Sequence, residues 1–196
     1  MTAAQTVHQY LKYTADFRLH FNRNSIGDGI GIDIGNSLTG YPDSNWANDI
    51  ADRRSQGAHV FLTSYGGAVS WQSWKQSLIT VSTFKAEFIA CSEASRDAKW
   101  LLLLQKHIHG EDLQPLPIIC DNQGALTLIT TGIIKARTKH INVCCHNSQD
   151  LHKRRIVNYC YVHTDETVAD ILTKALTTDK HTNFTKQWVY GNWRSI

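Results

Sequence analysis

The chain has 196 residues, 42% of them apolar and 19% charged, with a formal net charge of +3 and a pI near 8.6. That suits one domain with a sizeable core and an appended segment. No stretch is long and apolar enough to cross a bilayer as a helix, and five cysteines, odd in number and including the adjacent pair Cys144 and Cys145, exclude a disulfide-stapled scaffold. Free thiols imply a reducing compartment. Polar residues stand where a signal peptide needs an apolar centre, which sets the expectation of a cytoplasmic protein.

In chain order, Val7, Tyr10, Leu11 and Tyr13 predict a short helix, and residues 17–21 alternate like a strand. Residues 24–29 carry turn chemistry, and Ile30, Ile32 and Ile34 follow with period two, predicting a hairpin. Residues 38–43, 58–63 and 68–74 predict three strands of an antiparallel meander. Ser82 or Thr83 caps a long helix through His107, with Phe88, Cys91, Ala94, Ala98 and Leu101 at helical spacing and Gly110 at its end. Residues 116–120 form a short apolar strand followed by a helix from Gln123 to Thr130, a strand-to-helix step of the kind that builds parallel sheets. A helix over 138–151, a strand over 155–163 and a final helix through Leu176 complete the order. The polar stretch 177–196 has no predicted place.

Four acids stand at chemically suggestive points of that order. Asp43 ends the first strand of the meander, Glu87 lies in the first turns of the long helix, Asp121 follows the apolar strand, and Asp170 sits on the final helix. Each alone is ordinarily a cap or an exposed acid. Brought together by folding, they are hard oxygen ligands suited to Mg²⁺. The clusters Lys135, Arg137, Lys139, His140 and His152 to Arg155 could meet a phosphate backbone. The run His140, Cys144, Cys145, His146 does not have the spacing of a zinc finger.

The ordered motifs Gly-Tyr-Pro-Asp-Ser-Asn-Trp-Ala (40–47), Asp-Arg-Arg-Ser (52–55), Ala-Val-Ser-Trp (68–71), Ser-Thr with Ala-Glu-Phe-Ile-Ala (82–90), Cys-Asp-Asn-Gln (120–123), Arg-Thr-Lys-His-Ile (137–141) and Ala-Asp-Ile-Leu-Thr-Lys (169–174) closely resemble the ribonuclease H domain of copia-type long-terminal-repeat retrotransposon polyproteins. Tyr10 to Tyr13 resembles the linker from reverse transcriptase. The resemblance implies an α/β, ribonuclease H-like fold: a five-stranded mixed sheet, three antiparallel strands then two parallel ones, with helices on both faces. It divides the chain into a linker remnant (1–25), the ribonuclease H domain (26–176) and a C-terminal tail (177–196).

The same resemblance implies hydrolysis of the RNA strand of an RNA–DNA hybrid with two Mg²⁺ ions, Mn²⁺ being a substitute. Asp43, Glu87, Asp121 and Asp170 match the family's four metal ligands, with Asp43 bridging, Glu87 and Asp121 on the leaving-group side and Asp170 on the water side. Asn122 and Gln123 are placed to read 2′-hydroxyls, and Arg137, Lys139 and His140 to hold phosphates. His163 stands where the wider superfamily has a mobile His for proton transfer or product release, although the copia-type pattern has a proline there. Lys85, Pro42 and the run Cys144 to Ser148 depart from the pattern without removing a ligand. The implied partners are an RNA–DNA hybrid and the reverse transcriptase domain of the same polyprotein, with no membrane, inside a cytoplasmic virus-like particle. The rival expectation is a non-catalytic module that binds nucleic acid or braces the polymerase.

Overall fold

Alternating burial builds the sheet. In the computed structural model, which describes residues 2–19, 21, 38–63, 67–110, 115–132 and 142–189, β1 (Leu38–Asn45), β2 (Gln56–Thr63) and β3 (Ala68–Lys75) form an antiparallel meander. β4 (Leu116–Cys120) and β5 (Val157–Tyr161) add in parallel on the far side of β1. The order across the sheet is β3-β2-β1-β4-β5, which is the arrangement expected from sequence.

The strands supply two cores because their side chains leave opposite faces in turn. On one face, Leu38, Phe61 and Ile118 pack with α2 (Thr83–His109), α3 (Gln123–Thr131) and α4 (Asn142–Lys153). On the other, Val60, Leu62 and Ala68 pack with Val168, Ala169 and Phe184. A sheet covered on both faces explains why β2 is buried along almost its whole length.

The long helix α2 lies close to the sheet through small residues. Cys91, Ala94 and Ala98 are fully buried, with Phe88 among them. Gly110 closes the helix in the left-handed region, at φ 77°, donating its N–H to the Lys106 carbonyl. Ser82 takes the N-cap position without a side-chain cap bond. A side-chain tie joins sheet to helix: His59 Nε2 lies 2.9 Å from Asp97 Oδ2. Burial pulls the His59 imidazole below its ordinary pKa, against the opposing pull of Asp97.

Some expectations change. The final helix carrying Asp170 is instead two short 3-10 segments, Thr164–Glu166 and Val168–Leu172. Thr167 to Asp170 are all buried, and four successive buried residues do not fit the single inward stripe of an α-helix. Residues 17–19 are not a strand, and the hairpin expected over 24–34 lies outside the described residues. Within the stretch that had no predicted place, α5 (Thr178–Val189) forms and buries Phe184 in the second core. At the other end α1 (Ala3–Tyr13) forms with a capping box at Thr2 and Gln5, and no residue of it is buried.

Gly40 holds β1 against the first core. A Cβ there would meet the Phe61 ring at 2.6 Å, well inside contact distance. Gly40→Ala is therefore expected to lower unfolding stability by about 1–3 kcal/mol through overpacking, measured by urea denaturation; an unchanged midpoint would show that Phe61 can move aside.

Candidate metal centre

β1 and β4 are neighbouring parallel strands paired at Gly40 and Ile118. The chain leaves β1 toward β2 on one side and leaves β4 toward β5 on the other. A crevice opens outside the carboxyl ends of strands at such a reversal. Asp43 lies three residues past the pairing point on β1, and Cys120 and Asp121 lie at the end of β4. α2 starts over this edge and brings Glu87; the Val168–Leu172 turn brings Asp170 from the other face.

Asp43 and Asp170 are 0% and 2% exposed, and Glu87 is 4%. Three carboxyl groups taken out of water in one place need partners. Glu87 Oε1 accepts from the Ser44 N–H at 3.2 Å and from Ser44 Oγ at 2.9 Å. Its Oε2 is buried and has no hydrogen-bond partner among the described residues. Glu87, Cys120 and Asp121 offer one ligand atom each within 4.8 Å of one another. Asp121 is only partly buried.

Asp43 and Asp170 are held differently. Lys174 Nζ donates to Asp43 Oδ1 at 3.1 Å and to Asp170 Oδ1 at 2.8 Å. Thr173 Oγ1 donates to Asp43 Oδ2, and Lys180 Nζ from α5 donates to Asp170 Oδ2 at 2.9 Å. Asn45 Nδ2 and Ser73 Oγ fix the same turn by donating to the Thr173 and Leu172 carbonyls.

The electrostatics join the two groups. Burial raises the Asp43 carboxyl above its usual range, Lys174 and the Thr173 bond oppose it, and Asp170 adds to it. Burial raises Glu87 well above its usual range, and the charges of Asp43, Cys120 and Asp121 push it further. Asp43 thus interacts with Asp170 on one side and Glu87 on the other. Burial alone would lower the Lys174 ammonium, but Asp43 and Asp170 outweigh it and hold the proton above the ordinary lysine range. A buried carboxylate oxygen unpartnered among the described residues, with two more carboxylates beside it, is a set that a bound divalent cation would neutralise, so the donors fit a hard ion such as Mg²⁺ or Mn²⁺.

The remaining predicted site residues divide. Asn122 caps α3, its Oδ1 accepting from Ala125 N at 3.0 Å. Gln123 is exposed at the first turn of the same helix. His163 is exposed, caps the Thr164–Glu166 turn and lies 3.4 Å from Asp165. Arg137, Lys139 and His140 lie outside the described residues. Sequence reasoning gave no role to Ser44, Cys120, Thr173, Lys174 or Lys180. All but Lys180 stand inside the quoted motifs, and Lys174 is four residues past Asp170, the spacing that lets two side chains meet on a turn of helix.

Raised carboxyl pKa values mean that the folded state keeps protons the unfolded chain has released. The stability contributed by Asp43 and Glu87 is therefore fully present below the ordinary carboxylate range and is lost as pH rises toward their folded pKa. Glu87→Gln keeps the acceptor for both Ser44 bonds and removes the charge. Without divalent ions, the variant's stability advantage over the parent is expected to grow as pH rises above the ordinary glutamate range, by up to about 1.4 kcal/mol for each pH unit until the folded-state pKa is passed. Thermal melts across that range check this; an advantage that stays flat with pH would mean Glu87 titrates normally.

No protein-family model matches the chain. The retrovirus-related Pol polyprotein from transposon TNT 1-94 of Nicotiana tabacum is 35% identical over 143 residues, covering 73% of this chain and 11% of that protein. The secreted RxLR effector protein 161 of Plasmopara viticola is 34% identical over 108 residues, covering 55% of this chain and 69% of that protein. Among solved structures, the N-terminal RNase H domain of a Mycobacterium tuberculosis protein, solved as a fusion with maltose-binding protein, superposes with a TM-score of 0.52 at 14% identity, covering 76% of this chain and 96% of that one. The chain spans 11–12% of the length of the Pol polyproteins it matches. With the ribonuclease H-like fold and its motifs in copia-type order, the chain is homologous to one segment of the retrovirus-related Pol polyproteins of plant transposons.

Proposed function

We propose that this domain is a divalent-metal-dependent endonuclease that cuts the RNA strand of RNA–DNA hybrids during reverse transcription by a retrotransposon. The observation that carries the reading is the convergence of Asp43, Glu87, Asp121 and Asp170 at the carboxyl ends of β1 and β4, with Glu87 Oε2 left without a partner among the described residues. Four acids from four separate elements meet there at the cost of burying three of them. A packing role alone would not require that.

Two Mg²⁺ ions, when bound, supply an activated water and stabilise the departing 3′-oxygen. Glu87 and Asp121 would hold one position and Asp43 and Asp170 the other, with Asp43 shared between them. The chain's own residues do the rest. Ser44 fixes one Glu87 oxygen and leaves the other without a hydrogen bond among the described residues. Asn45 and Ser73 fix the Leu172–Thr173 turn and so the direction of Asp170. Asn122 would donate its amide to a 2′-hydroxyl while its carbonyl remains the helix cap. Gln123, and Arg137, Lys139 and His140 from beyond the described residues, would complete the grip on the hybrid, and His163 on its exposed turn would serve proton transfer or product release.

In its parent polyprotein the domain would act beside the reverse transcriptase, in a cytoplasmic virus-like particle, with residues 1–25 as the connection. The full pairing of Asp43 and Asp170 by Lys174, Lys180 and Thr173 favours a second reading, a non-catalytic module whose acids need no metal.

End-labelled RNA annealed to DNA separates the two. Cutting to 5′-phosphate and 3′-hydroxyl ends is expected with Mg²⁺, none with chelator, and a loss of at least about a hundredfold in Asp43→Asn, on the scale of ~3 kcal/mol of transition-state stabilisation. Hybrid binding without cutting, or cutting that Asp43→Asn and Asp121→Asn leave intact, rejects the nuclease at this site.

A further inference from the structure

The pocket has two unlike halves. Where Glu87, Cys120 and Asp121 meet, a carboxylate oxygen of Glu87 stands buried without a partner among the described residues. Where Asp43 and Asp170 meet, every carboxylate oxygen is already taken: Asp43 by Lys174 and Thr173, Asp170 by Lys174 and Lys180. Lys174 is the bridge. Its ammonium touches one oxygen of each acid, on a side chain that is one-third exposed while both acids are buried. A lysine ammonium is a compact charge on a flexible stem, able to leave by rotating its side-chain torsions. A divalent ion bound to the same two oxygens and an ammonium cannot occupy that position together, since both need the same lone pairs and both are cations.

We propose that Lys174 is a built-in competitor for the Asp43–Asp170 half of the pocket, holding the place of a divalent ion, so that the Glu87–Asp121 half loads first and the other half loads only as Lys174 swings out. This rests on reading the pocket as a divalent-ion centre. It explains how two buried aspartates can sit side by side before any ion is bound. It also makes the second loading step weaker by the fraction of time Lys174 is withdrawn. Lys180 does not share the role, because it meets only Asp170 in the pocket, on the oxygen turned away from Lys174.

Calorimetric titration of the whole chain with Mn²⁺ tests the proposal. The parent protein is expected to show a tighter and a weaker step. Lys174→Met, which keeps the stem and removes the charge, should tighten the weaker step about tenfold or more and move the tighter one, which shares only Asp43 with it, by much less. Should that variant not fold, the parent protein decides alone. Amine-reactive labelling read by mass spectrometry should modify Lys174 several times faster with saturating Mn²⁺ than without, while the exposed Lys12 is indifferent. A weaker step unmoved by Lys174→Met, or labelling of Lys174 unmoved by Mn²⁺, overturns the competitor role and leaves the divalent-ion centre standing. Absence of any Mn²⁺ uptake that Glu87→Gln reduces overturns both.

Discussion

The burial of the Asp43 carboxylate is the constraint on which the rest of the structure depends. A charged oxygen pair on a central strand, fully shielded from water, destabilises the fold unless something answers it. Two neighbours do so. Thr173 and Lys174 reach it from a turn 130 residues later in the chain, and that turn is pinned in place by Asn45 and Ser73 on the sheet. The two cores on either face of the sheet are thus fastened together at one polar point.

That point lies where the strand order reverses. β1 and β4 are parallel neighbours, but from β1 the chain steps outward to β2 and β3 on one side and from β4 to β5 on the other, so the connections leave their carboxyl ends in opposite directions, as at a crevice between such strands. Helix α2 is anchored over the cleft by Phe88 and its run of small buried residues, which fixes Glu87 with little freedom. The 3-10 turn at Val168–Leu172 closes the opposite side because Val168 and Ala169 are buried in the second core. Apolar packing therefore decides where each acid points, and the acids themselves contribute cost rather than stability. Sites that hold such cost are where function is found.

Much of this was legible in the sequence through short-range signals. The strand runs 38–43, 58–63 and 68–74 marked β1 to β3, helical spacing with Gly110 marked α2, and the apolar run ending at Asp121 marked β4. The turn carrying Asp170 was misread as an α-helix, because burial on successive residues reflects packing against a distant sheet and leaves no periodic trace. α5 went unplaced for a similar reason: it is largely polar, and Phe184 finds its core only once β2, β3 and the preceding turn are assembled.

The sequence by itself determined the order of the five sheet strands from residue 38 onward, the long helix and the four candidate acids, since each rests on a local pattern or an ordered motif. Only the tertiary structure decided how the acids are partnered. Ser44 fastens Glu87, and Lys174, Lys180 and Thr173 answer Asp43 and Asp170. These contacts join residues up to 131 positions apart, and no local pattern encodes which cation meets which carboxylate when a sheet edge, a helix start and a turn converge.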